Sequence, residues 1–87
     1  MAVPATPGGI ALARFGDAVM KWGRGDQAAL DRIQTTTADE LTRGGVTRQM
    51  ALEWARFYFN EALRNPGNPS AWGRAQLMQH AADLLIK

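Results

Sequence analysis

The sequence predicts an all-α fold: a compact bundle of four to five helices with a C-terminal antiparallel helical hairpin. Three observations predict it. Apolar residues recur at three- and four-residue steps over most of the chain, the spacing of one face of a helix. There is no clean two-residue alternation and no Asn-Gly step, the signals of strands and their hairpins. The run Arg64-Asn65-Pro66-Gly67-Asn68-Pro69-Ser70, with two Asn-Pro steps, separates two long apolar-patterned stretches, 46–63 and 71–86. Proline disfavours a helical residue before it, so this run closes one helix and opens the next.

Composition sets the bounds. At 87 residues the chain is one domain, read as 10–87 after a Pro- and Gly-bearing lead-in, 1–9, expected to be disordered. Without cysteine there is neither a disulfide framework nor a thiolate metal site. The core must come from apolar packing, for which three Trp, three Phe, one Tyr and four Met supply bulk. Net charge is +2 and the basic residues are spread singly, which argues against a phosphate-binding face. No stretch approaches the ~20 apolar residues of a membrane span. The N-terminus lacks the basic start and apolar run of a signal peptide.

The first helix is expected over Ile10–Trp22, with Leu12, Phe15, Val19 and Trp22 on one face and Gly23 as its end. Arg14–Asp17 and Asp17–Lys21 are expected surface pairs. The second is short, Gln27–Gln34, with Asp26 as N-cap and Leu30 and Ile33 turned inward. In the third, Thr37-Ala38-Asp39-Glu40 matches a capping box and Gly44 offers a left-handed stop. The fourth runs Arg48–Arg64 behind the N-cap Thr47. Apolar side chains cover roughly two-thirds of its circumference, leaving Glu53, Arg56, Asn60 and Arg64 as a narrow polar strip. Such a helix is contacted on several sides. The fifth runs Pro69–Ile86, with Asn68 as N-cap and Ser70 as the alternative.

Two charges interrupt the apolar arcs, Glu61 and Arg74. They lie six residues before and seven after Gly67, so a tight hairpin would set them side by side. The expectation is a partly buried Glu61–Arg74 pair that fixes helix register. The same pair could serve as an acid–base site with Tyr58 beside it. No second carboxylate or histidine falls in register, which favours the structural role. His80 is the sole histidine, on the polar side of the last helix, and no metal or other cofactor is expected. Trp54 reads as core, and Trp72, at the edge of its stripe, as a partly exposed contact.

Leu41-Thr-Arg-Gly-Gly45-Val46-Thr47 followed by a helix has the layout of a helix-turn-helix turn. A recognition helix must show a polar face to the major groove. This one offers only Arg48 and Gln49, so a nucleic-acid partner is not expected.

Several motifs carry a resemblance. They are Trp22-Gly23-x-Gly25, Leu41-x-x-x-Gly45-Val46-Thr47, Trp54-Ala-Arg-Phe-Tyr58, Asn65-Pro-Gly-Asn-Pro-Ser-Ala71 and Gly73-Arg74-x-x-Leu77-Met78-x-x-Ala81. Together they resemble a small uncharacterised proteobacterial helical domain associated with type VI secretion and with PAAR- or Rhs-type polymorphic toxin proteins. The resemblance implies a setting and no mechanism: a cytoplasmic protein, or one exported without a signal peptide. The expected function is a non-catalytic protein-interaction or accessory domain. The surplus apolar arc of the fourth helix, with Trp72 and Leu77 at stripe edges, points to a protein partner or self-association. The alternatives are a small effector using Glu61, Arg74 and Tyr58, and DNA binding.

Overall fold

The computed structural model describes residues 2–86. A 3-10 turn at Pro7–Gly9 is followed by α1 (Leu12–Arg14), which runs directly into a π-helical turn at Phe15–Met20. Then come α2 (Gly25–Ile33), α3 (Ala38–Arg43), α4 (Arg48–Arg64) and α5 (Ala71–Leu84), with no strand among the described residues. The all-α bundle is the fold. The α4–α5 hairpin forms its centre, and α2 packs on α5.

The bounds of α4 are those expected. Thr47 Oγ1 accepts the Met50 N–H at 3.1 Å, satisfying one of the donors a helix start leaves open. Ala51, Trp54, Ala55 and Tyr58 are buried. In α3, Thr37 Oγ1 likewise accepts the Glu40 N–H at 3.1 Å. The Glu40 carboxylate does not complete the box. It turns to Arg32 and, at 3.3 Å, to Lys21. The stop also shifts by one residue: Gly44 stays right-handed and Gly45 takes the left-handed conformation, φ 82°. The Gly45 N–H reaches Thr42 O and the Val46 N–H reaches Leu41 O. That six-to-one pattern brings the residues either side of the stop together, and Leu41 and Val46 both enter the core.

The N-terminal region departs most from expectation. In place of one helix to Trp22, three α-helical residues pass into a wider turn, where the Lys21 N–H bonds Gly16 O five residues back. Lys21, at φ 55°, ends it in a left-handed conformation unusual for a side-chain-bearing residue, not Gly23. The single face is broken as a result: Leu12 stays 45% exposed while Phe15 and Trp22 are buried. A Cβ at Gly16 would stand 2.5 Å from Trp22 Nε1, so the indole lies against bare backbone. The expected surface pairs of Asp17 give way to Lys21–Glu40. The stretch 2–9, expected to lead in without structure, carries the 3-10 turn, and Ala5 O accepts the Trp54 indole N–H at 2.9 Å.

α2 starts earlier than expected, and Asp26 is not its N-cap. It lies in the first turn, where Oδ1 accepts the Gly73 N–H of α5 at 2.7 Å. A Cβ at Gly73 would fall 2.5–2.9 Å from the Asp26 backbone, so the two helices cross where one has no side chain. α5 starts later, at Ala71, and its side-chain cap is missing because the candidates are used elsewhere. Asn68 Oδ1 accepts the Ser70 N–H at 3.0 Å within the turn, and Ser70 Oγ accepts the Gly25 N–H at 2.9 Å. Leu77, expected at a stripe edge, is fully buried. No helix among the described residues is long and apolar enough to cross a membrane.

Candidate functional site

Glu61 and Arg74 do not meet as a pair. Glu61 Oε2 binds Arg64 at 3.0 Å, three residues along its own helix. The register argument assumed a tight loop about Gly67. In fact residues 65–70 intervene between the helices, and a third element reaches Arg74 first. Trp22, delivered by the π turn, lies under the guanidinium, with Cζ 4.7 Å from the ring centroid. Tyr58 flanks it at 5.8 Å. Arg74 Nη2 donates to Gly23 O at 2.9 Å and Nη1 reaches the Tyr58 hydroxyl at 3.5 Å. Nε is buried without a partner, a cost that stacking on two aromatic faces offsets.

This cluster is built for packing. Trp22 and Tyr58 rings meet edge-on at 5.4 Å, Trp54 stacks on Phe15 at 5.3 Å, and Trp54 is fully buried, as expected of it. Burial raises the Tyr58 pKa above its ordinary value. The neighbouring Arg74 lowers it in part and Glu61 adds to the rise. The hydroxyl therefore stays protonated at neutral pH and is not poised as a base. Tyr58 and Arg74 do come together, but as a tie between the residue 21–24 link and the hairpin. Glu61 stands apart from it. Sequence reasoning missed Trp22 as the partner of Arg74, since a cation–π contact across 52 residues leaves no periodic signal.

The opposite side of the hairpin is different in kind. Trp72, as expected, is half exposed at 51%, and its indole meets Phe59 at 5.4 Å and 70°. Two open grooves adjoin there, sharing Phe59 and Gln79. One, of about 430 Å³, is lined by Ile33, Phe59 and Trp72, with Gln76, His80 and Asp83 along its edge. The other, of about 440 Å³, is lined by Leu52, Ala55, Phe59 and Leu63, with Arg56 and Asn60 beside them. Leu63 is 83% exposed. His80, read from sequence as lying on the polar side of the last helix, is half-buried at the groove edge. Among the described residues no cluster of His, Asp or Glu is arranged to hold a metal ion.

A family model described as "Domain of unknown function (DUF4951)" matches residues 1–85. The chain belongs to this family. No curated protein matches the sequence. The chain is also similar to a solved structure, an NMR structure of a protein from Acinetobacter baumannii. The identity is 36% and the TM-score 0.79, covering 97% of this chain and 81% of the other.

Proposed function

We propose that this member of the family is a non-catalytic protein-interaction or accessory domain, and that its docking face is the outer side of the α4–α5 hairpin. One observation carries the reading: a half-exposed tryptophan lines one of two adjoining grooves and is braced edge-on by Phe59, which the two grooves share. Small soluble domains seldom leave such groups in one patch unless a partner covers them. Braced tryptophans with a polar surround are the usual anchors of protein interfaces. Gln76, Asn60, Arg56 and Asp83 supply that surround. The finer setting, a secretion or polymorphic-toxin system, rests on the motif resemblance and is part of the proposal. So is a cytoplasmic location with export that needs no signal peptide. A secretion operon or an immunity gene beside this one would support it.

A photo-crosslinkable residue at Gln76 is expected to give a discrete adduct in the native cell. The same residue at exposed Ala18, on the π turn, is expected to give none. Equal labelling at both positions would remove the reading. Growth arrest on expression, abolished by Glu61→Gln, would install the effector in its place.

A further inference from the structure

We propose that the occupant of this face is a second copy of the same chain, held in register by Arg56 of each copy against Asp83 of the other. The proposal rests on the reading of the α4–α5 outer face as the docking surface, and it names the partner.

The argument starts from the charges on the two helices. Arg56 projects from the α4 side of the grooves and Asp83 from the α5 side, and both are exposed. Among the described residues neither is in an ion pair. Among the described residues the Asp83 carboxylate accepts only a long bond from Gln79, at 3.3 Å on Oδ1. One face thus carries a cation along one helix and an anion along the other. Such a face is complementary to itself when a copy is turned so that α5 lies on α4 and α4 on α5. Laying α4 on α4 would instead set cation against cation.

The heights agree with that arrangement. Turned about an axis parallel to the hairpin, the copy keeps its turn at the same end, so residues equally far from the turn face each other at about 1.5 Å per residue. Leu63 and Trp72 are each one residue inside their helices, and Phe59 and Gln76 are each five residues in. Arg56 and Asp83 differ by four residues, about 6 Å in height, which an arginine side chain spans. The contact is isologous and closes as a twofold dimer, with both ion pairs on the side of the Trp72–Phe59–Leu63 patch away from the turn. The two hairpins then make a four-helix arrangement, a common way for helix pairs to cover one apolar face each.

Area sets the strength. A stable interface takes about 800 Å² per partner, near one sixth of the 5107 Å² surface of this molecule. A face two helices wide and about 25 Å long falls at the low end of that. The dimer is therefore weak and concentration-dependent.

Sedimentation equilibrium of the full chain from about 10 µM to about 1 mM tests it. The expected result is a monomer–dimer equilibrium that weakens with salt. Arg56→Asp and Asp83→Arg should each weaken it at least about tenfold, and the double reversal should restore it. Both side chains are exposed, so the variants should melt as wild type. Three results overturn the proposal: a monomer throughout, a dimer indifferent to the reversals, or a double variant no better than the singles. Leu63→Glu run alongside separates this failure from that of the docking face. A dimer that ignores Leu63→Glu as well uses another surface, and both readings fall. A monomer whose Gln76 probe crosslinks a different protein overturns the second copy and leaves the face standing.

Discussion

Trp22 and Trp72 are the same residue type in opposite situations. Trp22 is 4% exposed and is gripped by Phe15, Trp54, Tyr58 and the Arg74 guanidinium. Trp72 is 51% exposed, and among the described residues its one aromatic partner is Phe59. The two are sorted by α5, which sends Arg74 inward and Trp72 outward two residues apart, on nearly opposite sides of the helix. A polar residue serves the buried face and an apolar one the exposed face, the reverse of the usual pattern. Stability is concentrated on one side of α5 and adhesiveness on the other, so substitutions on the two sides should be separable.

The largest effect that would break this contrast is on the inner side, at Gly73. Gly73→Val forces α2 off α5, because even the Cβ overlaps the Asp26 backbone. A loss of about 3 kcal/mol is expected, read as a Tm drop of roughly 12 °C or more in a thermal melt. Next comes Arg74→Leu, which removes a bond to Gly23 O and the stacking on Trp22 and leaves the Tyr58 hydroxyl without its donor. About 2 kcal/mol is expected, and Arg74→Lys should recover little because an ammonium cannot stack and fork at once. Smaller again is the acid limb of stability set by Glu40. The Arg32 hydrogen bond, opposed by desolvation and aided by Lys21, holds the Glu40 pKa below its ordinary 4.5. A depressed carboxylate contributes stability above its unfolded pKa and loses it as pH falls through the folded value. Glu40→Gln should lower Tm at neutral pH, flatten the decline below about pH 4.5 and converge with wild type at the acid end. Smallest is Glu61→Ala, expected within about 0.5 kcal/mol of wild type, since its partner Arg64 is a surface residue on the same helix. An effect as large as that of Arg74→Leu would restore the coupling that the geometry denies.

What was legible in the sequence was local. The ends of α4, the Thr37 and Thr47 caps, the hairpin and the exposure of Trp72 depend on residues within a turn or two, where period and capping chemistry act. What was not legible depends on distant partners. Asp26 reads as an N-cap until Gly73, 47 residues on, offers its N–H. Arg74 reads as the mate of Glu61 until Trp22 arrives beneath it. The outer face was half visible: the surplus apolar arc of α4 pointed to it, but the arc could not say that Leu77 would turn inward while Leu63 stayed out.

The π turn at Phe15–Met20 has a consequence for what the chain can tolerate. It holds one residue more than a regular helical turn would need over the same path. Drawing the same six residues into ordinary helix would swing everything beyond them by about 100°. Trp22 would then leave Arg74, although every side chain of the cluster was still present. In this segment the width of the turn is itself a structural instruction, and a change that tightened it into regular helix would undo the centre of the molecule.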